Sequence, residues 1–596
     1  MTKEFITSEE LYYAFIAGAK AIIKQKTLLN KMNVFPVADN DTGTNLSFTM
    51  KSIIEEAKLA DTPKQTMASI AEAAMLGARG NSGIIFAQFI NGLHYELTEE
   101  KEISIATFSR VVKAGVNHAY KSISNPVEGT IITVMYDWSK SIDHLKAGVI
   151  DVTELFIKSL EAAVQSVNAT PEKLKVLKNA SVVDAGGKGF VCFLEGMTGY
   201  FMSPENNELD FIAAGTEEYE DHVIQVDKNI DVSYRYCTEL LLTGRDMDVD
   251  AIKHALLSYG DSLIVAGVPT RVKIHMHTNL PEVVFERAKT FGSITQQKVD
   301  DMKRQYESVH ARKSTIALVT DSIADLPKEI MDKYQIHMIP LNILIGDSSY
   351  LDKITISPAY LYERMDDAEN YPTSSQPAVK TVENFLKTLV SHYESIIVMT
   401  VSSKMSGTYE TIGKAAKTID QMGDKITVID TKLNSGAQGL VVLKAAEEIA
   451  KGAVHKDVVT SIYDTIDKTK IFVSVDTLKY MVRSGRVKKY AGLAANVLNF
   501  KPVVSIDKNG KGIVIGNALS VKANTNKMQA LVKEMDKAKK IISYSIVHAN
   551  ASERAREFEH TFSTLIGRKP EYITEISSIV AMNAGVGCVA IALTTD

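Results

Sequence analysis

The 596-residue sequence has little cysteine, one tryptophan, nearly balanced charge and no long apolar run. Its three cysteines (Cys192, Cys237 and Cys588) are too few for a disulfide framework and are typical of a reducing compartment. A net charge of -5 gives no basic surface for nucleic acid. No stretch of about 18 apolar residues is present, and the N-terminus lacks the apolar core of a signal peptide. We therefore expect a cytoplasmic protein that has no transmembrane segment and does not bind nucleic acid.

The first 203 residues have the pattern of a helical domain. Thr7 and Glu10 have capping-box spacing at the start of an apolar pattern of helical period. The segments 62–78 and 151–167 have the same period. Between such helices lie four polar, glycine-bearing stretches, at 39–45, 77–83, 126–130 and 184–189. This arrangement favours a site assembled from loops at one end of a helical bundle.

The rest of the chain has two other residue patterns. Residues 203–210 are typical of a linker, and the sequence from 217 to 313 mixes predicted strands and helices. From residue 314 onward, short apolar runs end in Ser, Thr or Asp and lead into helical patterns, as in α/β domains. The sequence therefore predicts a multidomain protein with an all-α domain (1–203), a small α/β (α+β) domain (217–313) and a larger α/β domain (314–596).

The stretch PVADNDTGTN places Asp39 and Asp41 two residues apart, beside glycine and hydroxyl groups. An EF-hand calcium loop is excluded because, counted from Asp39, positions 5 and 12 are Gly43 and Met50 rather than oxygen ligands. A P-loop is excluded because the spacing GxxxxGK[ST] is absent. Two interpretations remain, a structural turn that caps the next helix and a site where both carboxylates share Mg²⁺ with substrate phosphates.

NVFPVADNDTGTN, ARGNSG, PVEGT and VVDAGGKG, in this order, closely resemble the nucleotide-binding domain of fatty acid kinase A, a member of the DhaL-like group. Over roughly the first 200 residues, the resemblance implies an antiparallel helical barrel that binds ATP and two Mg²⁺ ions, with Asp39 and Asp41 as metal ligands. The residues that it places near the nucleotide are Thr42, Gly43, Thr44, Asn45, Asn81, Ser82, Gly83, Gly129, Thr130, Asp184, Ala185 and Gly186. The family usually has PDGDTGTN where this chain has Ala38 and Asn40, but both carboxylates are present, so we expect metal binding to persist.

In the middle domain, KIHMHTN places His275 and His277 on one face of a predicted strand. Cys237 lies on an earlier predicted strand, and a cysteine with two histidines is a sound zinc ligand set. The alternative is a polar surface pair and a core cysteine. YRYCTE and KIHMHTN also resemble the central domain of fatty acid kinase A, which implies that these three residues hold Zn²⁺. Since no acid–base partner is apparent beside them, we expect a structural role.

Three polar clusters mark the third domain, PTSSQPA (372–378), SSKMSGTY (402–409) and SGRV (484–487). Hydroxyl groups and an arginine suit an anionic head group, although each cluster alone is also typical of a turn or helix cap. With TDSIADLP and VIDTK, they strongly resemble the DegV family of lipid-binding proteins over residues 314–596. The resemblance implies two α/β subdomains that enclose a fatty acid. The residues that it places at the acyl carboxylate are Thr373, Ser374, Ser406, Gly407, Thr408, Arg486 and Asn583.

The position of Asn583 departs from the DegV pattern. The family commonly has HxGPG near the C-terminus, whereas this chain has NAGVG. Asparagine can hydrogen-bond but cannot titrate near neutral pH. This substitution favours lipid binding over efficient phosphoryl transfer.

The resemblances together imply a fusion of fatty acid kinase A with a DegV-family acyl carrier of the fatty acid kinase B type. We expect an ATP-dependent fatty acid kinase that converts a long-chain fatty acid to acyl phosphate for phospholipid synthesis, with Asp39, Asp41 and Arg486 as catalytic residues. We further expect a homodimer or a hinge, an acyltransferase that accepts the acyl phosphate, and transient contact with a membrane. Two alternatives remain open. They are a nucleotide-gated lipid-binding or sensing protein without turnover, and a dihydroxyacetone-kinase-like enzyme.

Overall fold

A computed structural model of the chain describes residues 2–35, 41–204, 233–366, 371–477, 479–484 and 501–596. Two compact units divide it: unit 1 is Met1–Leu280 with Arg287–Lys303, and unit 2 is Pro281–Glu286 with Arg304–Asp596. The expected order of a helical region, a small α/β region and a larger α/β region is confirmed. Asp39, Arg486 and the predicted linker at 205–210 lie outside the described residues.

Helices make up the first region of unit 1. Thr7 caps α1 in the expected capping box, because its side chain accepts from Glu10 N while the Glu10 carboxylate accepts from Thr7 N at 3.0 Å. The helices are α1 (Ser8–Lys24), α2 (Lys26–Lys31), α3 (Thr42–Glu56), α4 (Pro63–Gly77), α5 (Gly80–Glu96), α6 (Ile105–Ser122), α7 (Ile131–Leu145), α8 (Val152–Asn168), α9 (Thr170–Lys173), α10 (Lys175–Ala180) and α11 (Ala185–Met202), and a ribbon pairs β1 (Phe5–Thr7) with β2 (Glu102–Ser104).

The long helices contact one another in a closed ring that runs α1, α4, α5, α6, α7, α8, α11 and back to α1. Buried aromatic rings fill its interior, with Phe86 and Phe193 in edge-to-face contact at 4.9 Å between centroids. Trp138 also lies there, and its Nε1 donates to Ser159 Oγ at 3.1 Å, so the one polar atom of the indole is satisfied. This shared core fixes the helix ends relative to one another.

The second region of unit 1 is an antiparallel sheet in the order β4–β5–β3–β6. Ile264 and Ala266 of its edge strand belong to the helical core cluster, and Ser124 N–H donates to Leu263 O at 3.1 Å. The sheet and the helical ring therefore form one unit. The elements of this region are β3 (Tyr236–Thr243), α12 (Val249–Leu256), a 3₁₀ turn (Leu257–Tyr259), β4 (Gly260–Val268), β5 (Arg271–Thr278) and β6 (Ser293–Asp301). The chain also forms α13 (Pro281–Ala288) and α14 (Met302–His310), most of whose residues belong to unit 2.

The described residues of unit 2 form three sheets, in the orders β13–β12–β7–β8, β10–β9–β11 and β16–β15–β14–β19–β17–β18. The first is parallel, as the apolar runs that end in polar residues predict. The strands are β7 (Ile316–Asp321), β8 (His337–Ile339), β9 (Asn342–Ile345), β10 (Ser348–Leu351), β11 (Thr373–Ser375), β12 (Ser395–Thr400), β13 (Ile426–Asp430), β14 (Thr469–Ser474), β15 (Val503–Ile506), β16 (Gly512–Gly516), β17 (Ile541–His548), β18 (Ile573–Glu575) and β19 (Val589–Thr595).

Helices cover the sheets of unit 2, and they follow the strands as expected for an α/β region. They are α15 (Lys328–Lys333), α16 (Pro358–Arg364), α17 (Val379–Val390), α18 (Thr408–Ile419), α19 (Ser435–Ala450), α20 (His455–Lys468), α21 (Lys479–Arg483), α22 (Val521–Ala538), α23 (Ser552–Ile566) and α24 (Ser578–Ala584). Across the described ranges of the whole chain, no helix combines the length and apolar character needed to cross a membrane.

Candidate functional site

Each of the four glycine-bearing motifs lies at the N-terminus of a helix in unit 1. Thr42 begins α3, Gly80 begins α5, Thr130 directly precedes α7, and Asp184 caps α11. The first turn of a helix has N–H groups without intrahelical partners and carries the positive end of the helix dipole. A set of such turns is suited to binding a phosphate chain.

The glycines allow these helix N-termini to meet closely. A Cβ on Gly80 would lie 2.3 Å from Asn45 Nδ2, so the first turns of α5 and α3 are in contact. A Cβ on Gly186 would lie 3.0 Å from Ser82 Oγ and 3.3 Å from Ile131 Cβ, so the start of α11 contacts both α5 and α7. The four motifs, separate in sequence, therefore converge at one place.

Asp184 is the buried carboxylate of this convergence. Its Oδ2 accepts from Gly187 N at 2.7 Å, and its own N–H donates to Thr170 Oγ1 at 3.0 Å. Burial raises the pKa of Asp184 to about 6, while hydrogen bonds from the Gly187 and Ile131 backbone lower it. Ala185 and Gly186 follow this N-cap residue and begin the first turn of α11. The site therefore contains a buried carboxyl group whose ionised form is disfavoured by burial.

The other predicted nucleotide residues divide into two groups. Asp41 is half-buried at the N-cap of α3 and makes no capping hydrogen bond through its side chain, and Asn81 Oδ1 is buried without a hydrogen-bond partner among the described residues. By contrast, the polar groups of Thr44 are hydrogen-bonded within the fold. Its N–H donates to Asn30 Oδ1 and its Oγ1 accepts from Asn30 Nδ2, both at 2.9 Å. A Cβ on Gly43 would lie 2.2 Å from a backbone oxygen of α2, so this glycine serves close helix packing.

The remaining members of the set are Thr42, Gly83, Gly129 and Thr130. Thr42 is buried in the first turn of α3, and Gly83 faces Thr49, whose Oγ1 would lie 2.7 Å from an added Cβ. Gly129 has φ +83 and donates its N–H to the Thr133 side chain at 2.9 Å. These contacts fix the backbone around the half-buried Asp41 and the buried Asn81 Oδ1.

Cys237, His275 and His277 come together on one face of the middle sheet, as predicted for a ligand set. Their ligand atoms lie within 4.8 Å of one another, and Cys237 Sγ is 3.9 Å from His275 Nδ1. His275 Nε2 is buried without a partner among the described residues. Burial raises the pKa of the Cys237 thiol and lowers that of the His275 imidazole. A neutral histidine with an orphaned nitrogen beside a thiol fits a metal ion that would deprotonate the sulfur.

The expectation that no acid–base partner lies beside these residues is wrong. Glu239 is 2% exposed, and its Oε1 lies 3.6 Å from His275 Nδ1. Burial alone would raise the pKa of Glu239, but the contact with His275 and the charges on Lys298 and Lys273 lower it below its usual value. Glu239 follows Cys237 by two residues on β3, so the alternation that paired the histidines could also have found it.

The cluster and the helix N-termini are electrostatic neighbours within unit 1. Burial is the main cause of the raised pKa of Cys237, and nearby carboxylates, including Asp41, raise it further. The pKa of Lys298 would be lowered by burial, but the charges on Asp300, Glu239 and Asp41 raise it well above its usual value. The Mg²⁺ ligand predicted from the sequence therefore lies close to the cysteine–histidine cluster.

In unit 2, two of the three predicted polar clusters meet. Ser406 Oγ lies 2.7 Å from Thr408 Oγ1 and accepts from Thr408 N at 3.3 Å at the start of α18. A Cβ on Gly407 would lie 2.1 Å from Gln376 Oε1, so the loop after β11 packs on this turn. Thr373 and Ser374 are exposed on β11.

Asn583 is hydrogen-bonded within its own helix. Its Nδ2 donates to Ile579 O at 2.7 Å within α24, and its Oδ1 is buried without a hydrogen-bond partner among the described residues. No hydrogen bond within the described ranges joins Asn583 to Ser406.

Three protein families match successive parts of the chain. The DAK2 domain family matches residues 36–199, the middle domain family of fatty acid kinase A-like proteins matches 233–309, and the uncharacterised DegV protein family matches 315–596. These ranges correspond to the helical region, the middle sheet and the three-sheet region described above.

Curated relatives match about half of the chain. An uncharacterised protein of Staphylococcus epidermidis is 35% identical over 305 residues, which are 49% of this chain and 55% of the relative. Protein YloV of Bacillus subtilis is 33% identical over 312 residues, which are 50% of this chain and 56% of the relative. The chain thus spans about half the length of the curated relatives that it matches.

Solved structures match the second half. The fatty acid binding protein DegV from Bacillus subtilis is 27% identical, with a TM-score of 0.43, and the match covers 48% of this chain and all of DegV. A DegV-family protein from Thermus thermophilus, described for its fatty acid binding, is 23% identical, with a TM-score of 0.44 and coverage of 47% and 99%. On its three family matches, the chain is identified as a protein that joins a DAK2 domain, a fatty acid kinase A-like middle domain and a DegV-family domain, in that order.

Proposed function

We propose that this chain is an ATP-dependent fatty acid kinase, with the nucleotide bound where α3, α5, α7 and α11 begin. The single observation that carries the proposal is the convergence of these four helix N-termini beside Asp41 and Asp184. Backbone N–H groups and helix dipoles offset phosphate charge, and short carboxylates bind Mg²⁺. The order of the three family regions supports a fatty acid as the acceptor.

The proposed reaction joins an acyl carboxylate oxygen to the γ-phosphorus of ATP and breaks the bond to ADP. An ionised carboxylate is already a nucleophile, so the step requires positioning and charge stabilisation rather than a general base. We assign two Mg²⁺ ions to Asp39 and Asp41, and the acyl carboxylate to Ser406, Thr408 and Arg486. Mg²⁺ would supply charge neutralisation for the phosphates.

The proposal also covers the domain boundaries, the assembly of the chain and the enzyme that accepts the product. We assign a domain to each of residues 1–203, 217–313 and 314–596, and a homodimer or a hinge to bring nucleotide and lipid together. Acyl phosphate is a reactive acyl donor, so the product suits an acyltransferase of phospholipid synthesis that works at a membrane.

The test incubates the full chain with ATP, Mg²⁺ and a long-chain fatty acid and traps acyl phosphate as the hydroxamate with hydroxylamine. Asp41→Ala should abolish hydroxamate formation and leave fatty acid binding unchanged. The matched control is Asp61→Ala, which removes an exposed aspartate between α3 and α4 and should retain activity. Loss of activity in both variants, or retention in both, would contradict the assignment of Asp41.

A zinc ion at Cys237, His275 and His277 is the second part of the proposal. The buried, orphaned Nε2 of His275 supports it. Bound zinc would cross-link β3 to β5. Cys237→Ser should lower the zinc content measured by mass spectrometry of the native protein. Cys192→Ala, which removes a buried cysteine in α11, is the control and should leave the content unchanged.

A second candidate function is a lipid-binding protein that nucleotide gates without turnover. Asn583 favours it, because its amide is engaged with Ile579 in its own helix and cannot supply a titrating group. In that case nucleotide and fatty acid would both bind with saturation, yet no hydroxamate would form. The Asn583→His variant separates the two functions, since a gain of hydroxamate would show that the substitution alone limits transfer.

A further inference from the structure

The first residue of α5, Gly80, is held by a carboxylate from the middle sheet. Its N–H donates to Glu239 Oε1 at 2.8 Å, across 159 positions of sequence. The N-cap residue of α5, Arg79, makes no side-chain capping bond of its own. An unpaired N–H at this end of a helix is normally satisfied by a capping side chain or a ligand. Here, the capping group comes from another region of the chain.

The same carboxylate faces the cysteine–histidine cluster. Glu239 Oε1, the oxygen that caps Gly80, lies 3.6 Å from His275 Nδ1, and Oε2 lies 3.7 Å from Lys273 Nζ. Glu239 stands opposite His275 in the β3–β5 pair and opposite Lys298 in the β3–β6 pair. With the orphaned Nε2 as the metal ligand, Nδ1 would be the second nitrogen of His275, and a carboxylate beside that nitrogen commonly fixes the orientation of the ring.

Glu239 borders a small cavity. The cavity between this face of the sheet and the α4–α5 junction measures about 60 Å³, and its lining includes Arg79, Glu239, Lys273 and Lys298. Ligand pockets are typically several hundred Å³. Glu239 would therefore act through Gly80, which contacts Asn45 of the converging helix N-termini.

We propose that Glu239 is a positioning residue that couples metal occupancy of the Cys237–His275–His277 cluster to the conformation of the α5 N-terminus. A bound metal ion would fix the orientation of His275. His275 would then position the Glu239 carboxylate, which accepts a hydrogen bond from the N–H of Gly80. The effect on nucleotide binding rests on the function proposed above, whereas the coupling itself does not. Metal removal loosens the first turn of α5, and nucleotide affinity falls with it.

The test measures hydrogen–deuterium exchange of peptides that span Gly80, in the full chain loaded with Zn²⁺ and stripped by a chelator. Zinc should slow exchange there several-fold. Glu239→Gln keeps an oxygen acceptor for Gly80 but replaces the charge that faces His275, so it should lower zinc affinity roughly 10-fold or more and abolish the zinc-dependent change in exchange. Lys273→Met removes a cationic partner of Glu239 that does not contact the histidines and should retain that change.

Identical exchange with and without zinc in the wild-type chain would overturn the coupling, as would unchanged zinc affinity in Glu239→Gln. Zinc-dependent exchange that Lys273→Met also abolishes would overturn the specific role of Glu239. The affinity for Mg²⁺–ATP is then measured with and without zinc. A chain that shows the exchange effect but forms no acyl hydroxamate would sustain the coupling and refute the kinase function.

Discussion

Replacing Gly80 by alanine tests whether the close approach of α5 to α3 builds the nucleotide site. Gly80 has φ +59, a conformation that costs a residue with a Cβ about 1–2 kcal/mol. The new methyl group would lie 2.3 Å from Asn45 Nδ2, and Asn45 is only 6% exposed, so its side chain must move. Moving a packed side chain to relieve this contact costs about 1 kcal/mol more. We expect the free energy of unfolding to fall by about 2–3 kcal/mol in total.

Urea unfolding followed by tryptophan fluorescence measures this loss, because the one tryptophan of the chain, Trp138, is buried in the core of the helical region. Gly148→Ala is the matched control, since an added Cβ there meets nothing within 4 Å. Equal unfolding free energies for the two variants would refute the argument from φ and contact. Lower stability with unchanged affinity for Mg²⁺–ATP would show instead that the α5 N-terminus lies outside the nucleotide site.

Three further changes test other parts of the fold. Thr7→Ala removes the capping box of α1 and should cost about 1 kcal/mol in the same fluorescence assay; an unchanged midpoint would mean that the cap contributes nothing. Gly407→Ala places a methyl group against the glutamine of the neighbouring loop and should weaken fatty acid binding in a displacement assay, whereas Gly413→Ala, with open space around it, should not. Burial raises the pKa of Asp321 from 3.8 to about 6 despite hydrogen bonds that lower it. Because the folded pKa exceeds the unfolded one, its contribution to stability is complete below about pH 3.8 and is lost as pH rises through 6, a change of about 3 kcal/mol. Calorimetry at several pH values should show a smaller pH dependence for Asp321→Asn than for the exposed control Asp347→Asn.

Local signals in the sequence predicted the elements that carry their own pattern. The capping box of Thr7 and Glu10 stands at the start of α1, and the apolar runs with polar ends became β7, β12 and β13. The strands β3 and β5 also lie where the sequence predicts them. In each of these segments the residue pattern and the tertiary environment favour the same structure.

Two strands of the middle sheet gave no comparable signal. The sequence of β6, SITQQKVDD, is mostly polar, and this edge strand is largely half-buried rather than part of a core. In β4, the run Leu263–Ala266 is buried throughout, with two of its residues in the helical core, so it lacks the alternation of a half-exposed strand. Their pairing depends on contacts that only the folded chain supplies.

The candidate sites were predictable as motifs but not as contacts. The sequence singled out Asn45, Ser82 and Gly186 without any indication that their helices touch. Glu239 was missed because its role depends on a hydrogen bond to Gly80. Gly80 is remote in sequence and belongs to a region with a different residue pattern. Sequence motifs indicate which polar groups are present, whereas tertiary packing determines which residues those groups contact.

The hydrogen bond between Gly80 and Glu239 also bears on how such a chain can be divided or recombined. A cut in the linker after the helical region would leave the aromatic core intact but would separate the donor from its acceptor. Exchange of the middle sheet between relatives would preserve this hydrogen bond where the incoming strand has an acidic residue at the position of Glu239. This buried contact thus adds to the shared core in constraining how the two regions are inherited, and the natural module is unit 1 rather than either sequence family alone.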